Sequence, residues 1–343
     1  MKNEIRHLLT ELCGSAWCGG VGNTPALIAA YLSEYAVTER LPDGGVLGTI
    51  KGSSDYTVML EAHYDQIGFV VTEIADGGFV KLGAVGGIDA RMLPSTRIRI
   101  LGKSEVKAVF CSVPPHLAAK ENAAPELSDL YADTGIRSGL ENTVSIGDPA
   151  VFDARPVMLS EDCICSPSLD DRAGCAALLA AAKALSSKGQ LPVTVKFLFA
   201  DKEELGMRGS VTGAYTVMPD EAIAVDVSFA DTPGIQPFLT GNAGAGAMIG
   251  ISPSLTKSVS DLLTESGRDG AAFQYEVMGG RTGTDADVMG TVKGGCRTGL
   301  VSIPERNMHT CGETVRISDV CSVAEILVNY IMKKGGISGE GIA

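Results

Sequence analysis

The chain is short of basic residues: 28 Lys and Arg stand against 41 Asp and Glu, a net charge of −13 over 343 residues. That balance argues against a nucleic-acid or anionic-membrane partner, because both need a basic face. No uninterrupted apolar run reaches the ~18 residues that a membrane helix requires. The opening "MKNEIRHLLTELCGSAWCGG" scatters charge where a secretory signal would hold an apolar block, so the expected location is cytoplasmic. The nine cysteines then read as free thiols of a reducing compartment. Cys163-x-Cys165 and Cys13-x4-Cys18 lack a second pair at the spacing that would complete a zinc tetrad. No internal repeat or low-complexity tract is present, and "GISGEGIA" at the end reads as a flexible tail.

What remains is a composition that folds. With 45% hydrophobic residues the chain can bury a substantial core, and its length suggests about two domains on a prior of ~100–200 residues each. "KNEIRHLLTEL" has helical apolar spacing, and Asn23-Thr24-Pro25 offers a cap and a proline for a second helix, "ALIAAYLSEYA". "TVMLEAHYDQIGFVVTEI" is β-rich. From about Asp76 to Asp153 short β-like pieces such as "TRIRILG" and "VKAVFCSV" alternate with Gly/Pro turns, the texture of a small β-domain. After it, "DDRAGCAALLAAAKALSSK" reads as a helix and Val193–Ala200 as a strand. "AIAVDVSFA" and "RTGLVSIPER" read as further buried strands, and "SDVCSVAEILVNYIMKK" as a closing helix. The expected fold is α/β: a mixed sheet with helices on both faces, built from residues 1–75 and 154–343, with a β-domain of residues 76–153 inserted between the two pieces.

In open α/β sheets, functional groups gather at the carboxyl ends of strands. Val58–Ala62 is followed by His63 and Asp65, and "CSPSLDDRAG" puts Asp170 and Asp171 at a helix start. Val193–Ala200 leads to Glu203 and Glu204, "AIAVD" ends on Asp226, and "LVSIPERNMH" ends on His309. Each alone has a plain explanation: a packed histidine, a helix cap or a turn residue. Five such deliveries together point to chemistry. Histidine is scarce, with four in the chain. His7 falls in the first helix and His116 in "VPPHL", where structural or loop roles are the default. His63 and His309 stand among carboxylates, and this nitrogen/oxygen donor set suits zinc, cobalt or manganese rather than a thiolate site. One carboxylate shared by two cations would make a paired centre. Asp65, two residues beyond His63, is placed to accept the second ring N–H of that imidazole.

Taken in order, His63-x-Asp65, Asp170-Asp171-Arg172, Glu203-Glu204-x-Gly206, Asp226 and His309 resemble the dinuclear zinc exopeptidases. With "SLDDRAG", "EELGMRGS", "GTDAD" and "SIPERNMHT", the chain is most similar to the tetrahedral (TET) aminopeptidase family, some of whose members carry endoglucanase labels. The resemblance implies two divalent ions per subunit: zinc, with cobalt or manganese as alternatives. It makes Asp170 the bridging carboxylate, with His63 and Asp226 completing one site and Glu204 and His309 the other. Glu203 becomes the general base that takes a proton from a water held between the ions to leave the attacking hydroxide, and the Asp170–Asp171 peptide bond is expected to be cis. The implied substrates are short peptides with a free α-amine, and the implied partner is a second copy of the chain in a homo-oligomer of tetrahedral, twelve-subunit form. "RTGTDADVM" is expected near the substrate side chain, with Arg281 either attracting acidic residues or merely on the surface. Three other readings compete. A dinuclear carboxypeptidase or N-acyl amino-acid deacylase would use much the same ligands. A glycosidase needs two carboxylates flanking a sugar bond, which neighbours Glu203 and Glu204 do not provide. A non-catalytic relative would be expected to lack a ligand, and none is missing.

Overall fold

The structure is a computed structural model that describes residues 1–117 and 125–336; the tail read over 336–343 lies, beyond Gly336, outside the described residues. Two large apolar cores organise it, and a smaller one covers the other face of the main sheet. The largest lies on a mixed sheet of eleven strands. Its centre is parallel: Thr194–Ala200, Thr57–His63, Glu221–Phe229 and Arg297–Arg306 lie side by side in that order. These strands are buried on both faces, which explains why they read as near-continuous apolar runs rather than alternating ones. Antiparallel strands extend the sheet outward on both sides.

Helices cover both faces, as expected. On one side Lys2–Gly14, Leu169–Ser186 and Ile317–Lys333 pack together over the sheet. Ile5, Leu8, Leu9 and Leu12 form the buried stripe of the first of these, at helical spacing. On the other side Arg208–Val217 packs over Leu198 and its neighbours. Arg172 is fully buried and ties this architecture to its N-terminus: its guanidinium donates to the Leu12 and Ser15 carbonyls at 2.7 Å and to Gln66 Oε1 at 2.6 Å.

The second core fills a closed barrel of six short strands. Phe69 meets Phe110 and Phe152 edge-on in its interior, at centroid distances of 5.1 and 5.4 Å. The barrel is inserted between the strand Thr57–His63 and the helix Leu169–Ser186. Its first strand is Gly68–Ala75, so the expected boundary at residue 76 falls one strand too late. Ile67, Phe69 and Val71 pack into the barrel core, whereas Val58, Leu60 and Ala62 pack into the other. The chain therefore leaves the main sheet at His63 and enters the barrel within a few residues.

Candidate metal centre

The parallel strands place their carboxyl ends at one edge of the sheet. His63 closes Thr57–His63 and is registered beside Ala200, the last residue of the neighbouring strand. Glu203 and Glu204 sit in the turn that follows Ala200. Asp226 lies inside Glu221–Phe229 rather than at its end, a correction to the sequence reading: pairing continues to Phe229 opposite Glu305. Asp170 and Asp171 open their helix with non-helical backbone, and the peptide bond between them is cis. His309 is carried on the turn after Arg297–Arg306, where Asn307 and His309 both take positive φ, 61° and 95°.

These segments bring five of the expected residues together. Asp170 Oδ1 lies 3.1 Å from His63 Nε2, and Asp170 Oδ2 lies 3.2 Å from His309 Nε2. Asp226 Oδ1 is 3.8 Å from His63 Nε2, and Glu204 Oε1 is 3.5 Å from His309 Nε2. Two triads result, His63–Asp170–Asp226 and Asp170–Glu204–His309, with the potential ligand atoms of each within 4.8 Å of one another. Among the described residues both groups draw on His, Asp and Glu alone. His7 is elsewhere, bonded to Tyr31 Oη at 3.1 Å. Arg281 is largely exposed and paired with Asp287 at 3.3 Å.

Asp65 Oδ1 is 3.5 Å from His63 Nδ1, an ion-pair distance longer than a hydrogen bond. The same carboxylate accepts the backbone N–H groups of Glu203 and Glu204, at 3.0 and 3.3 Å. Nothing in the residue spacing announces those two bonds.

The charge balance of the cluster is lopsided. Among the described residues no Lys or Arg forms a salt bridge to Asp65, Asp170, Glu204 or Asp226; each is paired only with an imidazole. Burial, reinforced by Asp285 and Asp170, pushes Glu203 up to about 7. Burial and Asp170 push Glu204 up to about 8. Asp226 is raised well above the carboxylate range by burial and Asp171. The hydrogen bond to Asp170 lifts His309 to about 9. His309 Nδ1 donates to the Gly87 carbonyl at 3.0 Å, which fixes the tautomer and turns Nε2 toward Asp170 and Glu204. A neutral imidazole there presents a lone pair to two carboxylates, an arrangement that needs a proton or a cation between them. The donor set and its excess of negative charge thus fit a pair of divalent ions.

Two further features escaped the sequence reading. Gly87 belongs to the barrel side of the chain, so the inserted domain touches the cluster directly; a Cβ there would stand 2.9 Å from His309 Nδ1. Glu313, nearly fully buried, accepts the Leu169, Asp170 and His309 amides. Its position four residues beyond His309 was the one available signal. Glu305 is also buried, and among the described residues neither of its carboxylate oxygens has a hydrogen-bond partner.

Comparison with known proteins places these observations. The profile of the M42 glutamyl aminopeptidases matches residues 44–326. A protein of Acetivibrio thermocellus is 35% identical over 340 residues, covering 96% of this chain and 99% of its own. Among solved structures, an aminopeptidase of the archaeon Desulfurococcus kamchatkensis superposes with a TM-score of 0.90 at 28% identity, covering 100% of this chain and 99% of that one. The TET1 peptidase of Pyrococcus horikoshii, described as able to assemble into a tetrahedron or a large octahedral shell, gives a TM-score of 0.82 at 25% identity, covering 97% and 100%.

Proposed function

The chain belongs to the M42 glutamyl aminopeptidase family, and on that footing we propose that it releases N-terminal residues from short peptides at a dinuclear metal centre. The observation that supports this reading most is the position of Asp170, one oxygen facing His63 and the other facing His309. In it Asp170 would be shared between two ions, with His63 and Asp226 holding one and Glu204 and His309 the other. The nitrogen/oxygen donors suit zinc, with cobalt or manganese as alternatives. Bound there, such ions would supply Lewis acidity for a peptide carbonyl and would lower the pKa of a coordinated water.

The remaining work falls to the chain's own side chains. Glu203 makes no salt bridge among the described residues, and burial raises its carboxyl above the ordinary range, which favours its accepting a proton. It takes a proton from the attacking water and returns it to the departing amine. Asp65 holds the Glu203 and Glu204 main chain and faces His63, so base and ligands keep one geometry. For the chain as a whole we propose a cytoplasmic homo-oligomer, with the inserted barrel contributing contacts between copies and tetrahedral shells as the expected form. The fold shared with the Pyrococcus horikoshii peptidase supports this.

The test is a panel of aminoacyl-anilides given to metal-free protein reconstituted with zinc, cobalt or manganese. Turnover in at least one reconstituted form, abolished by chelation, is expected. Failure on every anilide, with hydrolysis of N-acyl amino acids instead, would move the chain to the deacylase reading.

A further inference from the structure

Glu313 begins the strand Glu313–Arg316, which lies between two others. On one side is Cys163–Ser166, which leads into Asp170; on the other is the end of Arg297–Arg306, which leads into His309. Its carboxylate reaches both. Oε2 accepts the Leu169 N–H at 2.7 Å and the Asp170 N–H at 3.3 Å, while Oε1 accepts the His309 N–H at 3.2 Å. The segments it grips have unusual backbones: Ser168 has φ 69° and His309 φ 95°, left-handed values that non-glycine residues seldom take without support. Their amides are not spent on sheet or helix bonds, so an acceptor with two oxygens is what the site requires.

From this geometry we propose that Glu313 is a positioning residue that yokes Asp170 to His309 and so sets the spacing of the second ion's ligands. The inference rests on the two-ion reading above. It follows from connectivity: the Asp170–Glu204–His309 site has two of its ligands tethered to Glu313, whereas the His63–Asp170–Asp226 site has one. Loss of the tether therefore falls more heavily on the former. Glutamine at this position keeps the shape but offers a single oxygen. Its NH2 must then face an N–H, donor against donor, and one leg of the yoke is lost.

The experiment is calorimetric titration of metal-free protein with Zn2+, paired with the absorption spectrum of the Co2+-loaded form. Wild type, Glu313→Gln and Glu305→Gln are compared. Wild type should take two ions. Glu313→Gln should weaken one of them by roughly 10- to 100-fold, the usual effect of removing a residue that orients a ligand. The other should change much less, the cobalt spectrum should shift, and the metal-free protein should still unfold cooperatively, its thermal midpoint lowered only by the loss of a buried hydrogen bond. Glu305→Gln removes a nearby buried carboxylate that holds no amide, so both affinities should persist; an equal loss in it would assign the effect to charge and overturn the yoke. Unchanged affinities in Glu313→Gln, or equal loss of both ions, would also overturn it. A variant too unstable to purify is replaced by Glu313→Asp, whose shorter reach should give the same selective loss; full affinity there counts against the proposal. Wild type that takes up no ion overturns the two-ion reading itself, a failure recognisable without any variant.

Discussion

Asp65 is joined to Glu203 through the main chain, its Oδ1 accepting the Glu203 N–H at 3.0 Å. Its other oxygen accepts the Glu204 N–H at 3.3 Å, and the carboxylate faces His63 as well. One side chain thereby holds the main chain of the proposed base and of a further proposed ligand, and faces an imidazole. In Asp65→Asn an NH2 group must face one of these N–H donors. Activity should fall by about 10- to 100-fold, read as kcat/KM on the best anilide with saturating metal. A variant within twofold of wild type would show that the turn holds itself.

The adjacent glutamates should separate cleanly. Glu203→Gln keeps both ions but loses the proton acceptor, so kcat should drop by about 10²–10⁴ with metal content unchanged. Glu204→Gln should lose one ion. Elemental analysis of the two purified variants checks this, and equal metal loss in both would end the division of labour.

The barrel's contact with the cluster has its own consequence. Gly87→Ala places a methyl group where only 2.9 Å separates the glycine's Cβ direction from His309 Nδ1. The imidazole must rotate or the barrel turn must retreat, and the hydrogen bond to the Gly87 carbonyl weakens. Uptake of one ion should fall about tenfold or more with the barrel still folded, as followed by calorimetry and circular dichroism. Full affinity in the variant would mean the inserted domain can be altered there without reaching the site.

Away from the cluster, Glu221 should confer pH-dependent stability. It accepts from Tyr330 Oη at 2.5 Å and Tyr56 Oη at 2.8 Å and pairs with Lys334 at 2.6 Å. Burial opposes its ionisation, but the Lys334 and Tyr330 contacts hold the carboxyl below its ordinary value of 4.5. The folded pKa therefore lies under the unfolded one. The stabilisation is full above the unfolded value and is lost as the pH falls through the folded one. Glu221→Gln should cost about 1–3 kcal/mol of unfolding free energy at pH 7 and less at pH 3, by urea denaturation. A deficit that does not shrink in acid would contradict this.

The sequence was legible wherever residue type and strand pattern coincide. His63, Glu204 and His309 end or follow apolar parallel strands, which the structure brings to one edge; Asp170 opens a helix and Asp226 lies within a strand, and both face the same cluster. The helices Lys2–Gly14 and Ile317–Lys333 were legible from periodicity alone. The barrel boundary was not, because "GFVVTEI" alternates as any strand does and does not say which sheet it joins. Asp226 was misplaced at a strand end because apolar residues carry on past it. Glu313 and Gly87 act through amides and a carbonyl, and main-chain groups carry no residue-type signature.

Asp170 carries the central claim, and metal content tests it most directly. Purified wild type and Asp170→Ala, loaded with zinc and desalted, should differ completely by elemental analysis: two ions per chain in the first, close to none in the second. One ion per chain in wild type, or two retained by the variant, would contradict the account.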